Sequence, residues 1–291
     1  MAEIRRLLKE GADPNGAFCV AEAVPSFSVD LGEDLTKEEL IERISDTLTP
    51  FLIAVSSRKK MELIRLLLDA GADPNIANNK GMTPLMLSTS SHLTRLLLER
   101  GAEVNARNKD GMTALMFCTN ANVSKLLIQA GARVNLADNE GMTALMLSEN
   151  AACTKVLLEA GAKPNARNKM NATAIMFAKD MEQINALLAA GAKATVIADR
   201  KLTPLHFAAH LDHHRVIPFW LEHFDVNVKD KEGQTPSDFA FRHSNPKCGH
   251  LLVRRGGMPS LAEHLLQTGD LSGLIQALAA ENPYFLRSIQ S

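Results

Sequence analysis

The stretch GMTPLM at Gly81 to Met86 returns as GMTALM at Gly111 to Met116 and again at Gly141 to Met146, one copy every 30 residues. In the same register stand GADPN (Gly71 to Asn75), GAEVN (Gly101 to Asn105), GARVN (Gly131 to Asn135) and GAKPN (Gly161 to Asn165). Self-similarity at a fixed period of this size marks stacked supersecondary units, none of which can bury its apolar face alone. Starts of the same kind recur at Thr49-Pro50, Thr83-Pro84, Thr113-Ala114, Thr143-Ala144, Thr173-Ala174, Thr203-Pro204 and Thr235-Pro236. Further exits fall at Gly11 to Asn15, Gly191 to Thr195, Asp225 to Asn227, and Gly256.

Each piece of the repeat has a local physical reason. Thr followed by Pro is a helix cap followed by a first helical position, where the missing N–H costs nothing. A second helix follows, in which Leu96, Leu97 and Leu98, or Leu126, Leu127 and Ile128, make an apolar face too wide for a lone surface helix. The next Gly, such as Gly71 or Gly101, ends that helix in a left-handed conformation, and Gly81, Gly111 and Gly141 turn a hairpin tip.

These residues resemble the ankyrin repeat, with its Thr-Pro-Leu-His start, paired helices and Gly-Ala-Asp-Val-Asn exit, over nearly the whole chain. The resemblance implies an all-α ankyrin-repeat solenoid of helix-turn-helix units joined by hairpin-like fingers. The spacing from start to exit is 18 residues in four repeats but 22 from Thr49 to Gly71 and 21 from Thr235 to Gly256, while exit-to-start spacing stays at 8. Relative to the family period of roughly 33 residues, the loss therefore falls in the helix pair, about one turn. The organisation expected is a partial repeat over 1–15, a finger insertion with a short helix over 16–48, seven repeats over 49–257, and capping helices over 258–291. The chain opens within a repeat, as though trimmed or capped by a half-repeat, and both readings stay open. Thr36 to Glu39 fits a capping box for the helix of the insertion. That insertion either folds over the groove to select a partner or packs as a structural flap.

Composition bounds the function. Of 291 residues, 46% are apolar and only 4% aromatic, so the core is aliphatic; a net charge of -1 supplies no global field for nucleic acid or anionic membrane. No apolar run approaches the roughly 20 residues that cross a bilayer, and the chain reads as cytoplasmic. Cys19, Cys118, Cys153 and Cys248 stand far apart without a CxxC pair, which indicates neither a zinc knuckle nor a disulfide framework. His206 and His210 have the spacing of a helical metal site, but lack acidic and Cys support and read as structural; no metal or cofactor is expected. Basic residues from Arg242 to Arg255 read either as a patch for an acidic partner or as a solvated end of the stack.

Two rows need a decision. Met86, Met116, Met146 and Met176 replace the family's His and read as core filler. The residue before each start is also apolar: Leu48, Met82, Met112, Met142, Ala172 and Leu202, broken only by Gln234. In the family this position faces the concave groove. The row is therefore a candidate partner seam, with Arg107, Lys109, Arg167 and Lys169 among its charged rim; packing between neighbouring fingers is the other reading.

The resemblance implies a protein-interaction module or adaptor that takes another protein on its concave face. Bacterial ankyrin effectors, delivered into a host cell, and regulatory or inhibitory proteins fit that description. Two alternatives remain: the ankyrin region of a larger protein whose activity lies elsewhere, and a cysteine-dependent enzyme using Cys19 in the insertion. The oligomeric state is not readable from the sequence.

Overall fold

The computed structural model describes Arg6, Lys9, Gly11, Asp13, Asn15, Phe51, Leu52, Val55 and residues 61–259. The insertion over 16–48, with Leu48 and Cys19, the first start at Thr49-Pro50, and all of the expected capping segment beyond Pro259 lie outside the described residues, as does most of the partial repeat over 1–15. The chain divides into two compact units, Met1–Asn139 and Glu140–Ser291. Every regular element among the described residues is helical.

In the first unit, α1 (Met61–Asp69) closes one repeat. The next pairs α2 (Pro84–Leu87) with α3 (Ser91–Glu99), and a third pairs a 3-10 turn (Ala114–Phe117) with α4 (Ala121–Gln129). Packing runs between equivalent elements, α2 on the 3-10 turn and α3 on α4. Leu93, Leu96 and Leu97 of α3 and Val123 and Leu127 of α4 are buried, each aliphatic side chain contributing about 1.5–3 kcal/mol.

In the second unit, α5 (Ala151–Glu159) packs on α6 (Met181–Ala189), and a 3-10 turn (Ala174–Phe177) on α7 (Pro204–His210). A short α8 (Ile217–Trp220), then α9 (Pro236–Arg242) and α10 (Pro246–Arg254), complete it. The lost turn can now be located. First helices span 7 residues in α7 and α9 but 4 in α2 and both 3-10 turns, while the second helices α3, α4, α5, α6 and α10 all keep 9. The compact repeats are thinned in one helix alone.

Caps differ from one start to the next. Thr83, before Pro84, accepts the Met86 N–H, and Thr203 and Thr235 form reciprocal capping boxes with His206 and Asp238. Thr113 and Thr173 make no side-chain cap bond, whereas Thr143, also before Ala, accepts the Met146 N–H at 3.4 Å; in all three starts the Met N–H also reaches the Thr carbonyl at 3.0 Å. The second helices carry caps that the repeat pattern alone did not suggest: Ser90, Asn120, Asn150 and Asp180 each accept a first-turn N–H.

The methionines in the helix starts are core: Met86, Met116, Met146 and Met176 are 1–5% exposed. Leu87, Phe117, Leu147 and Phe177, whose strict repetition after the Met row also suggests core, are only half-buried: the three residues up to each Met fill the interior and the next one lies at its edge. Cys118, at a position where neighbouring repeats have Ser88, Ser148 and Ala178, is half-buried, its thiol donating to the Ala114 carbonyl at 3.4 Å.

The two glycine classes are held for different reasons. A Cβ at Gly81 (φ +76) would meet Lys109 N at 2.9 Å and Asn108 Cα at 3.0 Å, whereas one at Gly101 (φ +87) meets nothing within 4 Å. Gly101→Ala should cost ~1–2 kcal/mol from the left-handed backbone alone. Gly81→Ala should cost more, because the next finger's backbone must also move; urea unfolding of the two variants checks the order, and equal losses would refute it.

Candidate functional site

Four fingers are locked internally by one side chain each. Asn78 Oδ1 accepts the N–H groups of Lys80 and Met82, both at 3.0 Å; Asn108 Oδ1 those of Asp110 and Met112, and Asn168 Oδ1 those of Met170 and Ala172. These bonds fix the loop that carries the apolar row. Asp230 does the same for Glu232 and Gln234.

The row itself is partly absorbed by packing. Met82, Met112, Met142 and Leu202 are half-buried, and Ala172 is wholly buried. Asn108 Nδ2 donates to the Met82 sulfur at 3.4 Å within the first unit, and Asn168 Nδ2 to the Met142 sulfur at 3.2 Å within the second. Leu202 packs with Phe177 on a cluster of Ala172, Met176, Val196, Ala198 and Phe207. Leu48 lies outside the described residues.

The charged positions are exposed. Arg107 donates to the Ala137 carbonyl at 2.8 Å, Arg167 to the Asn171 carbonyl at 3.1 Å, and Lys169 pairs with Glu140 at 3.5 Å; Lys109 is exposed as well. Arg200 forks onto Glu232, Nε to Oε1 at 3.0 Å and Nη2 to Oε2 at 2.9 Å. Exposed pairs of this kind add little stability, about 0–1 kcal/mol each.

Two finger residues escaped the repeat reading. Met170 is 48% exposed and Ile197 51%, more than any other large apolar side chain among the described residues. The signal was present as a break in pattern, since Met170 stands where other tips have Lys80, Asp110, Glu140 and Arg200. Asn171 and Lys201 also take positive φ where the earlier tips use glycine.

His206 and His210 are held by their neighbours. His206 Nδ1 accepts from the Thr203 N–H at 3.2 Å and lies 2.9 Å from its hydroxyl, while Nε2 donates to the Gln234 carbonyl at 3.2 Å. His210 meets His243 with ring centroids 4.2 Å apart. Among the described residues no group of three or more His, Cys, Asp or Glu is placed to hold a metal, and no helix is long and apolar enough to cross a membrane. Burial pushes the Cys248 thiol strongly up, with Asp212 adding to the shift, so this sulfur stays protonated. Of the basic stretch from Arg242 to Arg255, Lys247, Arg254 and Arg255 are exposed and Arg242 reaches Gln234 at 3.0 Å.

The fingers, their cross-bonds and the paired helices together repeat as one unit, and a family model described as Ankyrin repeats (3 copies) matches residues 4–108, 89–168 and 170–262. The chain belongs to the ankyrin-repeat family. Comparison with curated proteins gives no match. Ankyrin repeats are protein-interaction modules, typically without catalysis.

Burial holds the His206 imidazole below its usual 6.5, outweighing the Gln234 carbonyl and the Asp230 and Asp238 carboxylates. His210 and His213 are lowered too, chiefly by burial, with His243 and Lys179 respectively adding to it. The unfolded chain therefore takes up protons first as pH falls below 6.5, and stability present above that value is lost toward the folded values. The melting temperature should drop on acidification, and His206→Met, the residue of the four preceding repeats, should make that drop shallower. The same variant should cost ~1–3 kcal/mol at neutral pH, because Thr203 N–H and the Gln234 carbonyl lose their partner; calorimetry across the pH range reads both.

Proposed function

We propose that this ankyrin-repeat chain is an adaptor that holds a partner protein against its fingers. The first unit contributes Met82 and Met112 with Arg107 and Lys109; the second contributes Met142 and Leu202 with Arg167 and Lys169. What carries this reading is the combination of exposed cations with loops held in place by Asn78, Asn108 and Asn168. A surface already ordered before contact loses little entropy when a partner arrives.

The methionines serve this surface in two ways. The sulfurs of Met82 and Met142 are engaged by Asn108 and Asn168, which sets the side-chain direction, and the exposed part of each methionine offers an adaptable apolar contact. An apolar seam with a charged rim is the usual composition of a transient interface.

Replacing Met82, Met112 and Met142 together with Glu should abolish complex formation. Because two of these sulfurs accept hydrogen bonds, some loss of stability accompanies the change, so circular dichroism at the assay temperature must show the variant folded. Pull-down from cell extract with quantitative mass spectrometry is the measurement. Loss of a specific captured protein supports the reading, and an unchanged captured set from a folded variant sinks it.

A further inference from the structure

We infer that the two fingers over 161–173 and 191–203 take an acidic peptide segment carrying spaced apolar side chains. The inference rests on the finger side being the binding side, and names the chemistry of what binds there.

Charge is the first observation. These two fingers carry six cations, Lys163, Arg167, Lys169, Lys193, Arg200 and Lys201, against a single anion, Asp199. The fingers of the first unit over 71–82, 101–112 and 131–139 hold four of each sign. The excess is thus local and invisible in a net charge of -1. Glu140 and Glu232 each face one of these cations from adjacent fingers, at 3.5 Å and 2.9 Å, through exposed pairs that water screens and an incoming carboxylate can exchange. Asp199 is engaged by the Asn171 amide at 2.7 Å.

Apolar exposure is the second observation, and it coincides with the first. Met170 and Ile197 stand one on each of these fingers. The Asp199 N–H donates to the Met170 carbonyl at 2.9 Å, which draws the two loops together two residues from Ile197. Neither side chain is spent on the core. Apolar anchors inside a ring of like charge select a partner that brings both opposite charge and apolar side chains.

The same reasoning disfavours other anions. A single-stranded nucleic acid would use the cations but needs aromatic platforms for its bases, and neither finger contains Phe, Tyr or Trp. An anionic membrane needs a broad apolar face to enter the interface, not two side chains.

The test is fluorescence polarisation of the full chain with a labelled short peptide repeating Glu-Glu-Leu, beside peptides repeating Lys-Lys-Leu and Glu-Glu-Ser and a labelled oligothymidine. The Glu-Glu-Leu peptide should bind saturably, weaken about tenfold on raising salt from ~50 to ~300 mM, and outbind the other three probes. Met170→Ser with Ile197→Ser should reduce its affinity to that of the Glu-Glu-Ser peptide, and Lys193→Glu with Lys201→Glu should weaken it further, all at unchanged melting temperature because the side chains are exposed. Absence of saturable binding, equal binding of oligothymidine, or indifference to the Met170 and Ile197 change would overturn the inference. If those failures occur while the triple Met variant still loses its captured protein, the finger reading stands and only the peptide chemistry is wrong. A captured protein indifferent to both sets of substitutions removes the finger reading itself.

Discussion

Five exit loops, those at Gly71, Gly101, Gly131, Gly191 and Gly256, are completed by an asparagine from the repeat before. Asn75 Oδ1 accepts the Glu103 N–H at 2.7 Å and its Nδ2 donates to the Gly101 carbonyl at 3.1 Å; Asn105 does the same to Arg133 and Gly131, and Asn165 to Lys193 and Gly191. Asn15 reaches Asp73 and Gly71 in this way, and Asn227 reaches Met258 and Gly256. The groups served are the end of a helix and the start of a loop, which no intrarepeat bond satisfies. A repeat therefore depends on its neighbour for backbone hydrogen bonding as well as for apolar burial.

That dependence explains how helices so short persist. A helix of 4 or 9 residues is well below the length of ~12–15 at which isolated helices become even marginal in water. Side-chain caps at Ser90, Asn120, Asn150 and Asp180 and paired hydroxyls at Ser88–Thr94 and Ser148–Thr154, both 2.8 Å apart, tie each second helix to the turn preceding it. In the second unit Gln183 extends this network to Ser148 and Thr154 of the preceding repeat, at 3.0 and 3.3 Å. Buried polar groups that are fully paired in this way fix register, because a slipped alternative would strand them.

The functional consequence is a division of labour within one repeat. Helices and exits carry the mutual support, leaving the outward positions of the fingers under little structural demand. Lys109 and Met170, for example, are exposed there. The balanced charges of the first unit's fingers and the cationic bias of the fingers over 161–173 and 191–203 show that freedom being used differently within one chain.

Much of this was written in the sequence. The period, the positive-φ glycines, the Thr starts and the buried methionines follow from local backbone chemistry and from repetition, which requires no knowledge of distant contacts. The placement of the lost helical turn in the first helix did not follow, because the spacing gives only the length of the pair. Nor did the state of the apolar row: Met82, Met112 and Met142 look alike as exposed seam or as packing residues until Asn108 and Asn168 are seen to reach two of their sulfurs. Exposure of Met170 and Ile197 was likewise decided only in three dimensions. Sequence specifies which side chains repeat, but burial depends on what the adjacent finger brings alongside, and that is a property of the stack.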